Sequence, residues 1–217
     1  QGRTIWIQLG WLYVDTIKVL EKFMDGQDEV VAMHNVTDLS GLRKLFAESG
    51  AKIAAVVTET PTNPLFQTCD LDEIRDLCQA HGAMLVADPT MASPRNAKVT
   101  GHADVIVNSL TKYAANEGDV MLGCLAFPKH STFGEKLLAP TREHIAPPYP
   151  RDLARLAHEI RDYPELVERT NQNLMQLAAF LERPPSVKKL YWAYSEPFRA
   201  NYEKLAGTGN PGCMLAF

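Results

Sequence analysis

The run Ile53-Ala54-Ala55-Val56-Val57 contains no polar residue. A half-solvated strand alternates apolar and polar side chains, so an unbroken apolar strand belongs in a sheet with both faces covered. Its neighbours in sequence extend the pattern. Residues 4–9 (TIWIQL) and 29–33 (EVVAM) are short strand-like runs. Between them, residues 15–23 place Ile17, Val19, Leu20 and Phe23 at helical spacing. A second helix opens at Asp38, turns Leu42, Leu45 and Phe46 to one face, and is expected to end at Gly50. Asp70 is placed to cap a third, with Leu71, Ile74, Leu77 and Cys78 inward and its end near His81-Gly82. Residues 83–87 and 104–108 are two more strands, and the apolar run 120–127 is halted by Pro128. Alternating units of this kind predict an α/β fold, with a mostly parallel sheet sandwiched between helix layers in an α-β-α arrangement.

Two strand ends carry chemistry. Asp88 follows Met84-Leu85-Val86-Ala87, and Ser109-Leu110-Thr111-Lys112-Tyr113 follows Val105-Ile106-Val107-Asn108. In sheets of this class ligands bind at the carboxyl ends of strands, where both fall. A carboxylate, a lysine and flanking hydroxyls are what pyridoxal 5'-phosphate requires: an amine for its aldehyde, an anion for its ring nitrogen, and donors for its phosphate. Taken singly, each residue has a plainer reading. A lone lysine at a strand end is usually a solvated charge, Asp88 alone reads as a cap or turn residue, and Ser109, Thr111 and Asn63 alone read as turn hydrogen-bonders. The joint arrangement favours the cofactor.

Composition narrows the alternatives. With 217 residues, 46% of them hydrophobic, the chain is long enough to bury a substantial core. The net charge of −4 and the lack of a basic block argue against nucleic acid as a partner, and no apolar stretch approaches the roughly 18 residues of a membrane span. Cys69, Cys78, Cys124 and Cys213 are widely spaced with no CxxC, as in reduced cytoplasmic thiols, and the histidines show no metal-ligand spacing, so no metal site is expected. The Asn35-Val36-Thr37 sequon has no signal peptide before it and reads as chance. The chain opens on Gln1 rather than methionine, as expected for part of a longer protein.

Three segments together resemble a known family: Glu59-Thr60-Pro61-Thr62-Asn63-Pro64, Asp88-Pro89-Thr90-Met91-Ala92-Ser93-Pro94, and Ser109 to Tyr113 continuing through Gly118-Asp119-Val120-Met121. They look like the Cys/Met-metabolism group of fold-type-I pyridoxal phosphate enzymes, which includes cystathionine γ-synthase, cystathionine β- and γ-lyases and methionine γ-lyase. The resemblance is close over roughly residues 1–130 and looser beyond. It implies that Lys112 carries the cofactor covalently and acts in catalysis, that Asp88 pairs with the ring nitrogen, that Ser109 and Thr111 hold the phosphate, and that Asn63 lies near the ring's phenolic oxygen. Thr90, kept where the family has Asp-Asn-Thr, joins the cofactor contacts. The resemblance further implies an amino-acid substrate, a homo-oligomer built as a dimer of dimers, and a cytoplasmic location.

The chain departs from the family in several places. Where the family has a Tyr-Gly-Gly-Thr-like segment whose tyrosine stacks on the cofactor, this chain reads Gly10-Trp11-Leu12-Tyr13. Trp11 is the expected stacking face, with Tyr13 as its substitute under a shifted register. A Gly-Gly-His-Ser segment is replaced by Ala114-Ala115-Asn116-Glu117, and nothing corresponds to the N-terminal arm or to the first phosphate loop. The expected organisation is a cofactor-binding domain over residues 1–150, a helical continuation over 151–186, and a linker leading into a truncated C-terminal domain over 187–217. In the helical part Leu153, Leu156, Ala157 and Ile160 form one stripe and Leu174, Leu177, Ala178 and Leu181 another, while Met214-Leu215-Ala216-Phe217 looks like a strand cut off at its start.

The function implied is β/γ-elimination or γ-replacement on sulfur amino acids. The alternative is a catalytically weak cofactor-binding homologue with a scaffolding role, motivated by the Trp11 and 114–117 departures. A nucleotide-binding α/β domain finds no GxGxxG or GxxxxGK[ST] to support it.

Overall fold

The computed structural model describes residues 2–23, 26 and 28–217; Gln1, the first residue of the 1–150 segment, lies outside them. Among these described residues, six strands form a single sheet in the order β2-β1-β3-β4-β5-β6. They are β1 Ile5–Leu9, β2 Glu29–Met33, β3 Ile53–Glu59, β4 Met84–Asp88, β5 Val105–Ser109 and β6 Gly123–Ala126. The first five are parallel, and β6 pairs antiparallel with β5 at the edge.

Side-chain alternation explains why the strands read as continuously apolar. Ile5, Ile7, Leu9, Val56, Leu85 and Ala87 face one core, against Leu42 and Phe46 of α2 (Ser40–Ser49) and Ile74 and Cys78 of α3 (Leu71–His81). Trp6, Val57 and Val86 face the other, against Ile17 and Leu20 of α1 (Val14–Phe23). The inner strands β1, β3 and β4 are covered on both faces, whereas β6 at the edge is exposed along its length.

Local chemistry fixes the ends of α3. Asp70 caps it by accepting from the backbone N–H of Asp72 at 3.1 Å and of Glu73 at 3.3 Å. Gly82 ends it at φ 65°, a left-handed position that glycine adopts without a Cβ penalty. Gly50 also follows its helix as expected, but in a right-handed conformation that runs on into a short 3-10 turn, Gly50–Lys52.

The remaining helices are α4 (Gly134–His144), α5 (Pro150–Glu159), α6 (Tyr163–Leu181) and α7 (Arg199–Ala206). Pro164 lies in the first turn of α6, where its missing N–H costs nothing. Of the two expected stripes, Leu156, Leu174 and Ala178 are buried, whereas Leu153, Ile160 and Leu177 stay exposed. The tail expected as a linker contains α7, whose Leu205 joins the main core and whose Tyr202 is fully buried. The strand expected at the end of the chain reduces to an isolated bridge between Tyr191 and Ala216.

Candidate active site

A cleft of about 810 Å³ opens where β3, β4 and β5 end. Asp88 closes β4, Ser109 closes β5, and Thr111 and Lys112 follow in the turn before β6; all four line the cleft, together with Asn63 and Thr90. The structure therefore brings together six of the seven residues singled out from the sequence.

The seventh, Trp11, is placed elsewhere. Its ring stacks on His34 with centroids 4.3 Å apart and planes 17° from parallel, and it does not line the cleft. Tyr13 lines it instead. The reason lies in the turn after β1. Gly10 sits at φ 81°, and a Cβ there would come within 2.9 Å of Thr62 and Val36 side-chain carbons. That left-handed step turns the chain so that Leu12 is buried and Tyr13 arrives at the cleft.

The strand ends are tied to one another. Asp88 Oδ1 accepts from the Thr90 backbone N–H at 2.8 Å. Thr90 Oγ1 accepts from the Ser109 backbone N–H at 2.9 Å and donates to Asn108 Oδ1 at 3.3 Å, so one hydroxyl bridges β4 to β5. The Thr111 hydroxyl accepts from Leu122 N–H at 3.1 Å and reaches the Leu122 carbonyl at 3.3 Å, fixing the lysine turn to the start of β6. Lys112 itself is exposed.

Two acids share this floor. Glu59, the last residue of β3, stands in register beside Asp88, the last residue of β4. Burial raises the Asp88 carboxyl above the usual carboxylate range, opposed by the hydrogen bonds from Thr90. Glu59 is only 5% exposed. Burial chiefly, with the Asp88 charge beside it, pushes its carboxyl up to about 7 against the Tyr13 and Asn63 backbone N–H groups.

Several lining residues were not anticipated. Tyr113 donates to the Met91 carbonyl at 2.7 Å and meets Cys213 Sγ at 2.8 Å. Cys213 and Met214 come from the tail, and Leu166 and Thr170 from α6. A buried amide pair holds the tail there. Asn96 and Asn171 exchange hydrogen bonds at 2.9 and 3.0 Å, and Asn171 Oδ1 also accepts from the Gly212 N–H at 2.8 Å. Sequence offered one signal for Glu59, a charge closing an otherwise apolar strand; for the tail residues it offered none.

The segment after the lysine, Ala114-Ala115-Asn116-Glu117, is anchored rather than loose. Ala114 and Ala115 pack with Val120 and Leu156, and the Glu117 N–H donates to Glu159 Oε2 at 3.2 Å. Among the described residues, no group of three or more His, Cys, Asp or Glu is placed to hold a metal ion, and no helix is long and apolar enough to cross a membrane.

Residues 2–217 match the family described as Cys/Met metabolism PLP-dependent enzyme. The chain is 37% identical over 215 residues to an L-2-amino-4-chloropent-4-enoate dechlorinase/desaturase of Streptantibioticus cattleyicolor, covering 99% of this chain and 43% of that protein. It is 32% identical over 198 residues to a cystathionine gamma-synthase of Neurospora crassa, covering 91% of this chain and 32% of that protein. The chain thus spans less than half the length of these curated relatives. Among solved structures, cystathionine gamma-lyase from Lactobacillus plantarum, complexed with L-serine, superposes with a TM-score of 0.85 at 22% identity, over 99% of this chain and 56% of that one. That likeness shows the fold-type-I architecture.

Proposed function

Because the chain belongs to the Cys/Met metabolism PLP-dependent enzyme family, we propose that it carries the pyridoxal 5'-phosphate site of an enzyme that eliminates or replaces a substituent on the β or γ carbon of an amino acid, in sulfur amino-acid metabolism. The observation that carries this is the convergence of Lys112 and Asp88 on one cleft at adjacent strand ends.

The residues present fit the cofactor. Burial raises the Asp88 carboxyl, so a positively charged ring nitrogen beside it would favour its carboxylate form. Lys112 would hold the aldehyde carbon, Ser109 and Thr111 the phosphate, and Asn63 and Thr90 the ring's polar edge. When bound, pyridoxal phosphate supplies an electron sink for charge developing at the substrate α-carbon. Lys112 Nζ would be the base that takes the α-proton. Asp88 would hold a proton on the ring nitrogen. Tyr13 walls the cleft.

Both relatives bear on the leaving group. The substrate named for the first carries chlorine on carbon 4, which is the γ carbon, and the second is named a gamma-synthase. They support a γ leaving group, halide or sulfur, as the first to assay. The exposed Leu153 and Leu177 on α5 and α6 support a homo-oligomer, proposed as a dimer of dimers; a cytoplasmic location is part of the same proposal. We also propose residues 1–150 as the cofactor-binding part, 151–186 as its helical continuation and 187–217 as the passage into a further domain.

Borohydride reduction of the cofactor-loaded whole protein, followed by peptide mapping, should place a pyridoxyl group on Lys112, and Lys112→Ala should remove it. Asp88→Asn should retain the adduct while α-proton exchange falls on the order of a hundredfold or more. A pyridoxyl group on another lysine, or exchange at the parent rate in Asp88→Asn, would overturn the reading.

A further inference from the structure

We propose that Glu59 is a positioning residue of this cleft: its side chain holds the turn between β1 and α1 so that Tyr13, rather than Trp11, forms the wall facing the cofactor.

Three observations converge. Glu59 Oε1 accepts a hydrogen bond from the backbone N–H of Tyr13 across 46 positions of sequence. Tyr13 directly precedes α1, so this N–H lies at the helix start, where donors have no partner within the helix. Glu59 supplies that partner from another strand. Trp11, the other aromatic of the turn, is already engaged with His34. Finally, Glu59 is fixed: it ends β3 in register with Asp88, and the next residue's N–H, that of Thr60, donates to the Asp88 carbonyl at 2.9 Å. The atom that holds Tyr13 is thereby referenced to the carboxylate assigned to the cofactor's ring nitrogen.

Chemistry favours the neutral acid in this role. Two carboxylates side by side in a largely buried floor repel each other, and a cation drawn into the cleft would be matched by Asp88. A protonated Glu59 still accepts from Tyr13 N–H through its carbonyl oxygen, and a glutamine has the same acceptor without the titrating proton.

This inference rests on the cofactor reading only for its consequence, so the test has two arms. In the chain without cofactor, hydrogen exchange at the Tyr13 amide should quicken on the order of tenfold or more in Glu59→Ala and stay near the parent rate in Glu59→Gln. With pyridoxal 5'-phosphate titrated by visible absorbance, Glu59→Ala and Tyr13→Ala should each weaken binding by about tenfold, and the double variant should bind no worse than Tyr13→Ala alone. Losses that multiply in the double variant, or Tyr13 exchange unchanged in Glu59→Ala, would overturn the proposal. A parent chain that gives no spectral response to the cofactor counts against the cofactor reading, and amide exchange still decides the role of Glu59.

Discussion

At the scale of single residues, the cleft depends on which groups are charged. Glu59 carries a pH signature independent of any cofactor. Its carboxyl is pushed up to about 7 in the folded chain, against 4.5 when unperturbed. Between those values the folded state holds a proton that the unfolded state has released, so stability falls as pH rises through this window. Asp88, Asp15 and Lys112 also line the cleft and modulate the window. Glu59→Gln removes the titration. Urea unfolding should therefore show the variant gaining on the parent from pH 4.5 to pH 8, by up to about 3 kcal/mol, because each tenfold change in proton affinity is worth about 1.36 kcal/mol. The placement of Lys112 and Asp88 at the cleft was legible in the sequence because Asp88 closes one apolar run and Lys112 follows the end of another, which is where α/β sheets place their ligands. Which of Trp11 and Tyr13 lines the cleft was not legible, because it is set by the left-handed step at Gly10 and by an acceptor far along the chain.

At the scale of elements, the inner parallel strands were legible because burial on both faces leaves long apolar runs. The antiparallel direction of β6 was not, since an apolar run reads the same either way. Helix α4 was invisible for a physical reason: none of its residues is buried and Pro140 lies inside it, so no stripe marks it. Helix α7 hides among prolines and glycines, and only Tyr202, Leu205 and Ala206 of its eight residues are buried. Yet α7 is firmly docked, through the Lys98 N–H to the Leu205 carbonyl at 3.2 Å and Lys204 Nζ to Asp70 Oδ2 at 2.7 Å. Asp70 thus both caps α3 and pairs with α7. Asp70→Ala should cost about 1–2 kcal/mol in thermal or urea unfolding, from the lost cap and a partly exposed ion pair. Asp70→Asn, which keeps the cap, should cost less than half of that.

At the scale of the whole molecule, the Asn96–Asn171 pair is the clasp that joins the sheet side of the cleft to its far wall. Both side chains are nearly fully buried, at 3% and 4% exposure. Removing Asn171 leaves several buried polar groups without partners, among them the Gly212 N–H. Asn171→Ala should destabilise the chain by on the order of 3 kcal/mol in urea unfolding, and it should make the tail beyond Tyr191 the first segment cut in limited proteolysis.

That clasp also sets an order of events in time. The strand ends bearing Asp88, Ser109 and Lys112 come from neighbouring stretches of chain, whereas the wall opposite them waits for Leu166, Thr170, Cys213 and Met214. A ribosome adds about 5–20 residues each second, so the sheet leaves the exit tunnel seconds before the residues that complete its cleft. A nascent chain released only through the lysine turn has a floor with nothing facing it, and contacts between distant stretches are the slower ones to form. The cleft proposed for the cofactor is therefore walled on both sides only once Leu166, Thr170, Cys213 and Met214 have been made and docked.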